Sequence, residues 1–374
     1  MDTVHFAVVA LGLSATLSLF STFITRTFSR FFSSRTARRT DRSHHCTTPR
    51  TGGIAIVVAF SLSLLVLAMF SSDLCEFVRV RFWIVLLASL IIFITGLADD
   101  LYGLNFMHKL FMQTFAAALV VYGAAYRIDA LYLPFLNRPF ILHEWLSIGL
   151  TFIWIIGLCN AVNLADGLDG LAGGLSVIGF FVMLIPTLSS GSFALALIYA
   201  VLLGAVLGFL RYNFHSASIF MGDTGALFLG FMFACLAIVP NRTDSTTFTF
   251  LPVLAMAFPI LDTLLSFLRR LVTGKHPFMA DQMHLHHRLM DRFKQTPLQT
   301  VLWIHLFSAV MGAAGIVLHF THIPILWVLT LLACAASVLG SVFFLYDVLP
   351  FRKAKSTALY LDMSQPVHLE KGRG

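Results

Sequence analysis

Residues 145–188 read WLSIGLTFIWIIGLCNAVNLADGLDGLAGGLSVIGFFVMLIPTL. The runs 145–161 and 171–188 are apolar, and each is long enough to cross a bilayer as a helix, for which about 17–25 residues suffice. Between them the chain turns polar. From Asn160 to Gly174 it carries two asparagines, two aspartates and four glycines. Carboxylate and carboxamide oxygens suit a hard cation such as Mg²⁺, and glycine lets backbone approach a ligand or another helix. Asp166 and Asp169 are three apart, so a helical turn would put them on one face. Helix capping explains one aspartate and one or two glycines. It leaves the rest of the cluster unexplained.

The whole chain shares this character. It has 374 residues, 58% hydrophobic and 11% charged, with a mean hydropathy of +0.86. A soluble domain carries about 25% charged residues. The expected fold class is therefore an all-α polytopic membrane protein, since helices satisfy their own backbone in lipid. Cys46, Cys75, Cys159, Cys235 and Cys334 are scattered and form no CxxC, so neither a disulfide framework nor a zinc site is expected. The formal charge is +7. It follows membrane topology rather than marking a nucleic-acid partner.

Eleven runs read as spanning helices: 4–24, 54–70, 82–97, 110–126, 145–161, 171–188, 193–210, 219–239, 248–271, 301–318 and 325–346. The first has basic residues after it and none before, the reverse of a signal peptide. It is expected to be retained, with the N-terminus outside and the C-terminus cytoplasmic. That orientation puts twenty basic residues on inner segments and only five outside, Arg79, Arg81, Arg127, Arg138 and Arg242, as the positive-inside rule requires. Residues 1–346 form one integral membrane unit in this reading, and 347–374 a flexible cytoplasmic tail. No internal repeat is evident.

The same orientation gathers every unusual polar motif on the cytoplasmic face. Asp99-Asp100 ends the third run, where paired carboxylates oppose the helix dipole and each other; such a pair is kept for a cation or a proton, or is an ordinary solvated helix end. Lys109 is placed to pair with them or to hold a phosphate. Asp223, in Met221-Gly222-Asp223-Thr224-Gly225, is either a cap or part of a site with Asn163, Asp166 and Asp169. Asp262 lies inside the ninth run, where an ionisable residue is a functional candidate; a structural pair with Arg269 or Arg270 explains it equally well. His284-Leu285-His286-His287-Arg288 suggests an anion site helped by Arg292, in preference to a transition-metal site, because residues two apart diverge on a helix. Arg35, Arg38, Arg39 and Arg42 are read as positive-inside signal.

Carboxylates, phosphate-binding cations and a membrane opening together suit phosphoryl transfer between a soluble diphosphate donor and a lipid phosphate, with Mg²⁺ offsetting the charge. A secondary transporter is the non-enzyme alternative, and it would show repeats and midplane ionisable groups.

Pro49-Arg50-Thr51-Gly52-Gly53, Asp99-Asp100, Asn163 to Gly170, Met221 to Gly225 and His284 to Arg288 resemble, in this order, the motifs of the polyprenyl-phosphate N-acetylhexosamine-1-phosphate transferases. The resemblance extends from about residue 41 to residue 292. It implies an eleven-helix bacterial enzyme of the cytoplasmic (inner) membrane that moves a sugar-1-phosphate from a UDP-N-acetylhexosamine to undecaprenyl phosphate, releases UMP and needs Mg²⁺, with Mn²⁺ as a substitute. It further implies Asn163 and Asp223 as metal ligands and Asp99 and Asp100 beside the lipid phosphate, one of them taking its proton. Asp166 would be an essential carboxylate, Asp169 would face the uracil, and His284, His286, His287 and Arg288 would line the sugar and diphosphate. Leu285 interrupts the histidines, and Ala98 stands where the peptidoglycan branch, which uses UDP-MurNAc-pentapeptide, often has a third aspartate. Both point to the GlcNAc-1-phosphate branch, which initiates the O-antigen of lipopolysaccharide, common antigen or teichoic acid linkage. A homodimer is left open.

Overall fold

The computed structural model describes residues 3–36, 48–132, 139–239, 247–272 and 284–321. Among them are thirteen α-helices: α1 (Thr3–Thr36), α2 (Gly52–Phe70), α3 (Ser72–Phe77), α4 (Trp83–Tyr102), α5 (Phe106–Ala118), α6 (Glu144–Ala165), α7 (Leu171–Ser189), α8 (Phe193–Asn213), α9 (Gly222–Leu236), α10 (Leu251–Ala255), α11 (Ala257–Val272), α12 (Leu285–Phe293) and α13 (Pro297–Thr321). Short π-helical segments join α3 to α4 and extend α5 to Gly123. Seven of the described stretches are long and apolar enough to cross a membrane: α1, α2, α3 through α4, α6, α7, α8 and α13. Large apolar side chains such as Leu65, Leu90, Ile153 and Trp303 remain exposed on their outer faces, as lipid contact permits and water does not. The eleventh run, 325–346, and the tail 347–374 lie outside the described residues.

The architecture is built around α9. It packs against α2, α4 and α6, and every residue of it is buried except Asp223. An apolar helix enclosed on all sides fits a sequence with no polar stripe. Long α1 lies along α8, where Ser14 and Ser18 donate hydrogen bonds to the carbonyls of Val201 and Ala205 at 2.7 and 2.5 Å.

One expectation needs correction. The run 248–271 is not one helix. It begins in a strand, forms α10, turns at Met256 and resumes as α11. Pro252 opens α10 and Pro259 sits in the first turn of α11, positions where a missing N–H is tolerated. The fold class is all-α, as expected, with one small addition. Strands β1 (Ala130–Leu131), β2 (Phe140–Ile141) and β3 (Thr247–Phe248) make a small sheet in the order β2-β1-β3, antiparallel between β1 and β2 and parallel between β1 and β3. Strand β2 leads into the start of α6, opposite the end that carries the polar motifs.

Candidate active site

Five remote segments converge where α4 and α6 finish and α9 begins. The chain entering α9 is clamped by the Pro49–Gly53 segment. Phe220 N–H donates to the Pro49 carbonyl at 2.8 Å, Gly52 N–H to Phe220 at 2.9 Å and Gly53 N–H to Met221 at 2.8 Å. Gly222 then takes φ +71°, where a β-carbon would stand 2.6 Å from Asp100 Oδ2. Only glycine fits that turn and that approach.

A helix leaves its first N–H groups without partners. Here carboxylates from other elements supply them. Asp166 accepts a bond from Gly222 N–H. Asp100 Oδ1 accepts from Asp223 N–H at 3.0 Å; its Oδ2 accepts from Thr224 N–H at 2.9 Å and from the Thr224 hydroxyl at 2.5 Å. The positive end of the α9 dipole favours these anions. Capping is thus real, but it is done across helices, and it draws three aspartates to one point.

The third aspartate is Asp223 itself. Lys109 Nζ bridges it, at 3.0 Å, to Asp99 Oδ2 at 2.7 Å. Asp99 Oδ1 also accepts from Leu104 N–H at 2.6 Å, closing the turn after α4. Burial opposes the Lys109 cation, but its bonds to Asp99 and Asp223 outweigh that and raise its pKa. Lys109 is therefore the partner of the acidic group. The side chain of Asn163 hydrogen-bonds Asp223. Asn160, also part of the polar junction, plays a different part. It exchanges amide hydrogen bonds with Gln113 at 2.8 and 3.3 Å and ties α6 to α5.

Asp166 and Asp169 do not share a helical face. α6 ends at Ala165, and residues 166–170 form a turn. Asp166 turns toward Gly222, while Asp169 Oδ2 accepts from Ala217 N–H at 3.0 Å and holds the loop before α9. Burial, then the charges of Asp223 and Asp100, raise the Asp166 carboxyl well above its ordinary range; the Gly222 bond and exposed Arg50 work against this.

The histidine motif closes the other side. His284 precedes α12 instead of belonging to it, so the three rings do gather: His284 stacks on His286 at 5.8 Å, and His286 meets His287 at 4.2 Å. A β-carbon on Gly167 would stand 2.7 Å from His286 Nε2, so the motif rests on the aspartate turn. Burial pushes the His286 pKa down to about 4. An unfolded histidine titrates near 6.5, so the unfolded chain takes up the proton first and acid destabilises the fold. Between pH 6.5 and 5 this group alone is expected to cost about 2 kcal/mol. Thermal unfolding of His286→Gln should lose less stability than the parent over that interval; equal losses would remove His286 as the cause.

The site suits a magnesium ion on this geometry. Asp223 offers a carboxylate and is half-buried rather than sealed; the Asn163 amide N–H donates to it, and the carboxamide oxygen of the same side chain stands beside it as a second ligand. Mg²⁺ needs one or two carboxylates and completes its octahedron with water and substrate phosphates. The Lys109 ammonium between Asp99 and Asp223 already shows that this acid pair holds a cation. No three His, Cys, Asp or Glu side chains among the described residues form a metal-sized group.

Residues 82–241 match the sequence profile of glycosyl transferase family 4. A Bacillus subtilis protein named as a probable undecaprenyl-phosphate N-acetylglucosaminyl 1-phosphate transferase is 36% identical over 277 residues, 74% of this chain and 74% of that relative. The chain belongs to glycosyl transferase family 4. Other family 4 relatives include a decaprenyl-phosphate N-acetylglucosaminephosphotransferase of Mycobacterium leprae, 35% identical over 306 residues (74% of this chain, 75% of the relative). A phospho-N-acetylmuramoyl-pentapeptide-transferase of Staphylococcus aureus is 32% identical over 276 residues (71% and 84%). The family 4 segment covers Asp99, Asp100, Lys109, Asn163, Asp166, Asp169 and Asp223. The Pro49–Gly53 clamp and the histidine motif lie outside it. Gly222 and Thr224 stand in the Met221–Gly225 motif, yet the motif alone does not reveal their work. Their signal is a glycine where positive φ is needed and a hydroxyl one residue past an aspartate.

Proposed function

We propose that this chain transfers GlcNAc-1-phosphate from UDP-GlcNAc to undecaprenyl phosphate, yielding undecaprenyl-diphospho-GlcNAc and UMP. The observation that carries this is the α9 N-terminus, where Asp100, Asp166 and Asp223 meet Lys109 and Asn163 beside a histidine motif. Family membership and the names of the GlcNAc-phosphate relatives supply the sugar and the lipid. The acceptor phosphate oxygen attacks the β-phosphorus of the donor; the bond from that phosphorus to the bridging oxygen breaks, and UMP leaves with the electron pair. Asn163 and Asp223 would hold Mg²⁺, which when bound offsets diphosphate charge. Lys109 adds a fixed positive charge and orients Asp99. A phosphate's second pKa is about 6, so the lipid phosphate is mostly a dianion at neutral pH and needs little help from a base. Asp100, with three donors, serves as the cap of α9, and Asp99 is the carboxylate left to face the acceptor. Asp166 is the essential carboxylate of the turn, Asp169 sets the loop that meets the uracil, and His284, His286, His287 and Arg288 meet the sugar and diphosphate.

An apolar cavity of about 330 Å³ opens between Trp154, Leu158 and Ala161 of α6 and Val253, Ile260 and Leu264 of α10 and α11. Its lining suits isoprene units, and Ala161 is less than a turn from Asn163. The basic residues favour a cytoplasmic site in a bacterial inner membrane, with eleven spans and the N-terminus outside. The UDP-MurNAc-pentapeptide relatives make that donor the second reading, and Leu285 within the histidine motif argues for the smaller sugar. Membranes holding the chain should transfer label from UDP-[¹⁴C]GlcNAc to undecaprenyl phosphate with Mg²⁺ and not with EDTA. Label from UDP-MurNAc-pentapeptide alone would install the second reading. No transfer from any UDP-N-acetylhexosamine would end both.

A further inference from the structure

Asp262 is used by none of the steps above, yet it is 1% exposed and carries a carboxylate. Burying a charge is costly unless its partners are well placed. This carboxylate reaches off its own helix to the histidine motif. Asp262 Oδ1 accepts a hydrogen bond from Leu285 N–H, the first residue of α12, at 2.8 Å. Its Oδ2 lies 3.3 Å from His284 Nδ1 and 4.0 Å from His286 Nδ1. Those two ring nitrogens, and His286 Nε2, are buried and have no hydrogen bond among the described residues. One carboxylate on α11 thus meets both the backbone and the rings of the motif. His286 in turn presses its Nε2 edge on Gly167, next to Asp166.

We propose that Asp262 is a positioning residue for the donor end of the site. It anchors the first turn of α12 through Leu285 N–H and sets a carboxylate against the Nδ1 edge of His284, and these contacts fix how His286 meets the aspartate turn and the donor. At 4.0 Å His286 Nδ1 is beyond hydrogen-bond reach, so the carboxylate acts on His286 through the Leu285 backbone and the His284 ring stacked on it. Groups behind a working side chain fix its orientation in the same way in other enzymes. The inference rests on the transferase reading for the identity of the donor, but the link from Asp262 to the histidines stands on geometry alone.

The test uses the full-length protein in detergent or vesicles. Asp262→Asn keeps the shape and an acceptor for Leu285 N–H, but removes the carboxylate that faces His284. The expected result is a rise in KM for UDP-GlcNAc or a fall in kcat, together roughly tenfold to a hundredfold. KM for undecaprenyl phosphate and the thermal midpoint should stay at the parent's values. Asp262→Glu, which restores the charge, should recover part of the loss; it also carries the test if the asparagine variant does not fold. Diethyl pyrocarbonate labelling, read by mass spectrometry, supplies a measurement independent of activity. Labelling should change at His284 and His286 and stay constant at exposed His108 and His215. Parent-like kinetics and labelling would overturn the proposal. So would a lowered midpoint with unchanged constants in the folded fraction, because that is a packing role only. Should the parent transfer no sugar at all, the functional reading fails, and the labelling pattern alone decides whether Asp262 sets the histidines.

Discussion

Asp223→Ala is expected to lower sugar-phosphate transfer by about three orders of magnitude while leaving the protein folded. The separation follows from its place. Asp223 is the one residue of α9 that is not buried, and its side chain caps nothing; its contacts are Asp99, Lys109 and Asn163. Removing it deletes the carboxylate of the magnesium pair and releases Lys109 from half of its bridge. Charge stabilisation of several kcal/mol is at stake in such a site, and about 4 kcal/mol corresponds to three decades of rate. The check is initial-rate transfer of labelled GlcNAc-phosphate at saturating Mg²⁺, beside the thermal midpoint of the same preparation. A variant that keeps more than a tenth of parental turnover would remove Asp223 from the metal site. Asp223→Asn keeps the size and should fail nearly as badly, since the charge is what matters.

Asp100→Ala is expected to behave differently and to cost both fold and activity. Three donors end on this carboxylate: two N–H groups of the first turn of α9 and the Thr224 hydroxyl. Deleting it strands them in a buried place, at a cost of about 2–4 kcal/mol, and loosens the helix start that presents Asp223. Yield and thermal midpoint should fall together with turnover. Asp100→Asn should fall between, because its amide offers one oxygen and turns two hydrogens toward existing donors. An unchanged midpoint in Asp100→Ala would mean that the cap is dispensable and that the carboxylate acts on substrate instead. The two aspartates therefore give opposite signatures, one catalytic without structural loss and one with both.

The apolar runs announce the membrane helices and their approximate limits because burial in lipid demands length and little else. The same rule misleads at 248–271. Hydropathy registers prolines and a turn at Met256 only faintly, so a broken helix reads as a whole one. Motif residues are legible as types, since few structural needs collect so many oxygens at one face. Their division of labour is not. Whether Asp166 and Asp169 point together depends on where α6 stops, and the stop at Ala165 is decided by tertiary bonds to Gly222 and Ala217. Asp262 is ambiguous in sequence for a similar reason: its partners are 22 and 23 residues away, and no periodic pattern links them.

The length of α9 has a further consequence. Its 15 residues reach about 22 Å at 1.5 Å per residue, whereas bilayer hydrocarbon is about 30 Å thick. A helix this short does not cross alone. Its start is held level with the end of α6, where Asp166 accepts from Gly222 N–H, and every residue but Asp223 is enclosed by its neighbours. A change of bilayer thickness therefore reaches the site only through the longer helices around it.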